Sequence, residues 1–149
     1  MDLAADWVVG FVDGEGCFRV SLNPSDETPV GYEVLPEFVV FQHERDTQIL
    51  HALKRFFGAG VIRRESEETA CLQIRKLECL RKVCEFFAKR PLKTKKNVDC
   101  FKFRRILRLM TEKRHLEKDG LVEIVEIALA MNAVETTALE MVKRDLVAG

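Results

Sequence analysis

The chain has 149 residues, 47% of them apolar, and five cysteines, which suits one globular domain with a real core and excludes a disordered tail. Its apolar runs, such as Phe38 to Phe41 and Ile124 to Met131, fall far below the roughly 20 residues a membrane helix needs, and the acidic start Met1-Asp2-Leu3-Ala4-Ala5-Asp6 is unlike a secretory or transit leader, so an intracellular protein is expected, in a bacterial cytoplasm or an organelle interior and not secreted. The 24 basic and 24 acidic side chains cancel, but residues 1–50 hold 2 basic and 10 acidic groups, residues 51–114 hold 19 and 7, and residues 115–149 hold 3 and 7, so the isoelectric point excludes nothing about partners.

Leu3, Trp7, Val8, Phe11 and Val12 stand at helical spacing and predict a mostly apolar helix over 3–12 that ends at the Gly14-Glu15-Gly16 turn. Cys17 to Leu22 then alternates, with Phe18, Val20 and Leu22 on one side, and reads as a strand. A loop over Asn23 to Gly31 leads to a second strand, Tyr32 to Phe41, with Val34, Pro36, Phe38 and Val40 inward. Asp46 is placed to cap a helix from Thr47 to Phe57, which Gly58-Ala59-Gly60 stops. Val61 to Arg64 and Ala70 to Arg75 flank a polar turn as a hairpin. Leu77 to Ala88 is amphipathic, Thr94 opens a helix to about Met110, and Gly120 to Met131 and Thr136 to Val147 add two more. The order α-β-β-α-β-β-α followed by helices predicts an α+β domain over 1–149 with an antiparallel sheet.

The five cysteines include no C-x-x-C, and His43, His51 and His115 are isolated, so reduced buried thiols are expected rather than a zinc site. Trp7 and the ten phenylalanines read as core. No G-x-S-x-G, H-E-x-x-H or G-x-x-x-x-G-K occurs. The basic block, including Lys95, Lys96, Lys102, Arg104, Arg105 and Arg108, suits either phosphate neutralisation or a solvated helix face.

Val8-Val9-Gly10-Phe11-Val12-Asp13-Gly14-Glu15-Gly16 carries the chemistry. Gly10 and Gly14 strip one side of an apolar helix of bulk, so another backbone can approach. If that backbone is the same helix of a second chain, a two-fold axis brings the helix ends together, each bearing Asp13 and Glu15. Clustered carboxylates repel unless protonated or bridged by a divalent cation, and hard oxygen ligands suit Mg²⁺. A glycine-terminated helix with solvated acids accounts for the same spacing.

This stretch closely resembles the signature of the LAGLIDADG homing endonuclease family, with Val8 and Val9 replacing the opening Leu-Ala. The element order over 3–88, Gln42 at the end of the second strand, and Pro91-Leu92-Lys93-Thr94-Lys95-Lys96 with Asp99 and Phe101 extend the resemblance over roughly the first 105 residues. The resemblance implies the αββαββα fold, with a saddle-shaped antiparallel four-stranded sheet along the DNA groove and extra C-terminal helices. One signature implies a homodimer joined through the 3–12 helix. It places the metal at Glu15, with Gly14 beside it, and gives Asp13 a helix-end role. The implied cofactor is Mg²⁺, with Mn²⁺ an alternative and Ca²⁺ binding without cleavage. A metal held by Glu15 and a phosphate oxygen would acidify an attacking water and offset charge on the phosphate. Gln42 would order that water, and Lys95 or Lys96 would face the charge.

The implied activity is that of a site-specific, intron-homing endonuclease making a metal-dependent double-strand break in a long, near-palindromic double-stranded DNA target of roughly 20 bp. A different-class reading is a non-cutting nucleic-acid binder of the same fold, such as an intron maturase or transcription factor, and only a maturase would bring an RNA partner. Strand alternation then points Arg19, Ser21, Asn23, Glu33, Glu37, Val39, Arg63, Glu65, Cys71, Gln73 and Arg75 away from the core, with all but Val39 and Cys71 as candidate DNA contacts. Arg19, Arg63, Gln73 and Arg75 are suited to base edges. Lys102 and Arg105 are expected on phosphates.

Overall fold

The computed structural model describes residues 1–131 and 136–148. Val8, Val9 and Val12 form the buried stripe of a helix, α1 (Ala5–Glu15), that runs through the signature rather than stopping before Gly14. The backbone stays helical because the Gly16 amide still reaches the Val12 carbonyl. Four strands follow in two pairs: β1 (Gly16–Pro24) with β2 (Tyr32–His43), and β3 (Val61–Arg64) with β4 (Thr69–Ile74). They form one antiparallel sheet in the order β1-β2-β4-β3. The register is set by Phe38 opposite Ile74, Val39 opposite Gln73 and Val40 opposite Leu72, and on the other side by Ile62 opposite Leu72 and Arg63 opposite Cys71. The helices are α2 (Thr47–Phe57), α3 (Leu77–Lys89), α4 (Lys96–Thr111), α5 (Lys118–Leu129) and α6 (Thr136–Ala148).

The chain divides into two compact units. The first comprises residues 1–18 and 37–97, and the second residues 19–36 and 98–149. In the first, sequence periodicity becomes an aromatic core. Phe18, Phe38, Phe57 and Phe87 meet with ring centroids 5.1 to 6.2 Å apart, and Phe56 and Phe86 extend the cluster. Each such pair contributes about 0.5–1.5 kcal/mol beyond its burial. Leu50, Leu53, Leu72, Ile74, Leu80 and Val83 complete the core. α2 ends at Gly58, whose φ of +68° a side chain would strain.

In the second unit Phe103, Ile106 and Leu107 of α4, Leu121, Ile124 and Val125 of α5, and Leu139 of α6 are buried. The short turn Arg114–Leu116 crosses α5 so closely that a Cβ on Gly120 would lie 1.9 Å from the Arg114 carbonyl oxygen. Tyr32 donates its hydroxyl to Asp145 of α6 at 2.5 Å, which pushes the phenol's pKa above its ordinary value. Lys102 donates to the Ala130 carbonyl at 2.9 Å and Arg105 pairs with Glu123 at 2.8 Å. Two cations expected on phosphates therefore tie α4 to α5 and its C-terminal end.

Several other local expectations are corrected. Trp7 is 43% exposed and stacks on Phe11 at 4.8 Å rather than entering the core. Asp46 makes no capping bond to α2. The chain turns there through a short 3-10 segment, Glu44–Asp46, whose Arg45 amide is bonded by the His43 ring. α4 starts two residues after Thr94, because Thr94 stays outside as a cap and its hydroxyl accepts the Lys96 amide at 3.2 Å. The five cysteines form no disulfide, and no helix among the described residues is long and apolar enough to cross a membrane.

Candidate active site

The C-terminal end of α1 is held by residues some eighty positions away. Asp13 accepts the Lys93 amide on one carboxylate oxygen at 2.7 Å, and on the other the Thr94 amide at 3.1 Å and the Thr94 hydroxyl at 2.7 Å. Burial alone would raise this carboxyl's pKa, but those three donors and the Lys96 charge outweigh burial and hold it below the ordinary value. Lys96 donates to the carbonyls of Val12 at 3.1 Å and Asp13 at 2.7 Å. A cation on the last carbonyls of a helix opposes the negative end of its dipole.

Glu15 lies two residues beyond Asp13 and shares none of this. It is exposed and makes no hydrogen bond or ion pair among the described residues. No group of three His, Cys, Asp or Glu among those residues is placed to hold a metal. At the end of α1 one chain thus offers a single carboxylate without a partner among the described residues, which fits a divalent cation only if further oxygens come from outside the chain.

The rest of α1 explains where those oxygens can come from. Val8, Val9 and Val12 face inward, whereas Trp7, Gly10 and Gly14 are exposed. A Cβ on Gly10 or Gly14 would meet no atom within 4 Å among the described residues beyond its own helix. The two glycines therefore leave space that nothing among the described residues fills.

Gln42 falls on the same sheet face as Leu72 by register, opposite Ala70, and its carboxamide oxygen accepts the His43 amide at 3.0 Å. Its amide nitrogen makes no hydrogen bond among the described residues. Lys95 is exposed on the loop before α4. The structure thus brings Asp13, Lys96 and the 93–94 backbone together at the end of α1.

The expected outward face of the sheet is confirmed in parity but not in exposure. Arg63, Gln73, Arg75 and Glu37 share it, yet Glu37 and Gln73 are only 8% and 7% exposed. Arg63 Nη1 donates to Gln73 Oε1 at 3.3 Å, Gln73 Nε2 donates to Glu37 Oε2 at 2.6 Å, and Arg75 Nε donates to the same oxygen at 3.0 Å. Val39 and Cys71 on this face are fully buried. The Cys71 thiol donates to the Glu65 carboxylate at 3.4 Å. In the second unit Arg19 is half-buried and Ser21, Asn23 and Glu33 are exposed, alternating with the buried Val20 and Val34.

Sequence reasoning missed the Lys93 amide and the mutual pairing on the sheet. Thr94, noted as a helix start, was the available signal for the first. For the second there was none, since it depends on register.

Comparison with known proteins agrees with this geometry. The family model described as LAGLIDADG endonuclease matches residues 8–107. A crystal structure of the homing endonuclease I-TnaI superposes with a TM-score of 0.96 at 53% identity, covering 98% of this chain and 99% of that one. The I-SmaMI LAGLIDADG homing endonuclease bound to cleaved DNA gives 0.85 at 35% identity, covering 88% of this chain but 44% of that one. A probable intron-encoded endonuclease 3 of Neurospora crassa is 29% identical over 129 residues, 85% of this chain and 24% of the relative. An uncharacterized 50.9 kDa protein in ND4 intron 1 of Podospora anserina is 31% identical over 114 residues, 75% of this chain and 25% of the relative. The chain thus spans about a quarter of the length of these two curated relatives. With its signature on α1 and its sheet and helices matched in order, this chain belongs to the LAGLIDADG endonuclease family.

Proposed function

We propose that the chain acts as a homodimeric, metal-dependent DNA endonuclease that makes a double-strand break in a long, near-palindromic site. The observation that carries this is Glu15: an exposed carboxylate without a partner among the described residues, at the end of a helix whose Gly10 and Gly14 face stands open. Two copies of α1 packed through that face would bring both Glu15 carboxylates to the axis, where cations and scissile phosphates complete the oxygen shell. The I-SmaMI chain, of which this chain matches less than half, and the I-TnaI chain, matched almost end to end, suit a unit that works in pairs.

Glu15 and the Gly14 backbone are the groups that would hold the metal. When bound, a divalent cation there supplies Lewis-acid polarisation of a phosphate oxygen and acidifies a water. Around it, Lys96 has two N–H bonds directed at α1 carbonyls and a third left to face phosphate charge. Gln42 holds a water through its amide nitrogen, and Asp13 fixes the 93–94 loop that leads into Lys95 and the start of α4 at Lys96. Which of Lys95 and Lys96 touches phosphate is decided by their single alanine variants. I-SmaMI has been crystallised on an uncleaved DNA target with calcium ions, which supports Ca²⁺ as a cation for binding alone in this chain; Mg²⁺, with Mn²⁺ as the alternative, is the cation proposed for cleavage.

Glu15→Gln tests the reading. Cleavage of a selected site in Mg²⁺ should fall by at least about a thousandfold, while binding measured in Ca²⁺ stays within about tenfold. Retained Mg²⁺-dependent cutting would refute the assignment, and binding without cutting by the unsubstituted protein would favour a non-cutting binder.

A further inference from the structure

Glu37 is an anomaly for a DNA-facing sheet, because a carboxylate held toward a polyanion costs affinity. The structure resolves it through pairing. Gln73 Nε2 and Arg75 Nε converge on Glu37 Oε2 at 2.6 and 3.0 Å, and Gln73 Oε1 in turn accepts Arg63 Nη1 at 3.3 Å. The amide of Gln73 has only one sensible orientation here: flipped, it would set its oxygen against the Glu37 carboxylate and its NH₂ against the Arg63 guanidinium. The Arg75 side chain remains 58% exposed, and with Nε directed at Glu37 its far edge is the one turned away from the network. That edge carries two parallel donors, the fork that matches guanine O6 and N7. Arg63, Gln73, Arg75 and Lys76, with Gly60, line an open hollow of about 500 Å³, so there is room beside these donors for an incoming group.

We propose that Glu37 is a specificity-determining positioning residue: through one carboxylate oxygen it orients Gln73 and Arg75, and through Gln73 it orients Arg63, without itself reading a base. Pre-orientation matters because long side chains lose rotamer freedom on binding, and a network that has already lost it favours the correct base edge over a wrong one. The role rests on the reading of this chain as a sequence-specific DNA endonuclease.

Glu37→Gln keeps the shape and removes the charge. In the DNA-free protein, NMR should show a shifted, slowly exchanging Arg75 Hε that collapses toward a solvent-like signal in the variant, and an unchanged signal overturns the network. On DNA, selection from a randomised library in Ca²⁺ should show preference relaxed by about tenfold at the several base pairs read by Arg63, Gln73 and Arg75 in both half-sites. Affinity for unrelated duplex should rise by about threefold as one negative charge is lost. Adding Glu37→Gln to Arg75→Ala should change preference no further at the Arg75 position, which marks action through the arginine. A preference switched at one base pair alone would mean that Glu37 reads cytosine directly, and an unchanged profile would mean that the network does not serve recognition. Either overturns the proposal. If the NMR signature holds but the unsubstituted protein selects no sequence, the DNA reading itself fails and this role falls with it.

Discussion

Two carboxylates in the first unit face opposite fates. Glu15, at the end of α1, is exposed and has no partner among the described residues, although Asp13 two positions earlier is bonded by three donors. Glu37, on the sheet, is nearly buried beneath Gln73 and Arg75. The difference suits the work proposed for each: a group that would attract a cation is kept without internal neutralisation, whereas a group beside side chains proposed to face DNA is neutralised so that it would not repel the backbone. Asp13 shows that the end of α1 is no general sink for acids. There the chain separates an anchoring carboxylate from one left available.

The largest effect should come from placing a second acid beside Glu37. Gln73→Glu sets two carboxylates at the 2.6 Å contact, where they cannot both ionise cheaply. Destabilisation of about 2 kcal/mol is expected at pH 8, shrinking as pH falls toward 5, because the folded protein then binds a proton more tightly than the unfolded chain. Urea melts across that range measure it. A pH-independent loss would mean that Arg63 and Arg75 neutralise the added charge completely.

The anchored acid of α1 should show the opposite sign. Its folded pKa lies below the ordinary 3.8, so its stabilisation is present above that value and is lost as pH falls through the folded one. Asp13→Ala should cost about 1–2 kcal/mol at neutral pH and flatten the acid limb of a stability profile below pH 4. Glu15→Gln should leave both within about 0.5 kcal/mol. Equal losses from the two variants would erase the distinction between anchored and available carboxylates.

The smallest effect on the single chain should be at the open face of α1. A Cβ at Gly10 meets nothing within 4 Å among the described residues beyond its own helix, so Gly10→Leu should stabilise the monomer by about 0.5–1 kcal/mol through helix propensity. The same change blocks close approach of a second α1, and sedimentation should show dimerisation weakened by about ten- to a hundredfold. An undiminished dimer would move the interface elsewhere.

Local order was set by the sequence itself. Periodicity of 3.6 and of 2 and glycine stops are properties of neighbouring residues, and they yielded the αββαββα order, the inward set Phe18, Phe38, Leu72 and Phe87, and the signature with Glu15 at its end. Strand parity also told which side chains leave the core. What parity cannot give is which of them meet, because that depends on the register of β2 against β4 and β3 against β4. Only the tertiary structure therefore set Glu37 against Gln73 and Arg75 and covered Val39. It likewise carried Thr94 and Lys96 some eighty residues to the end of α1, and drew Lys102 and Arg105 into helix contacts. A hydrogen bond acts over about 3 Å, and no spacing along a chain specifies such a meeting across the fold.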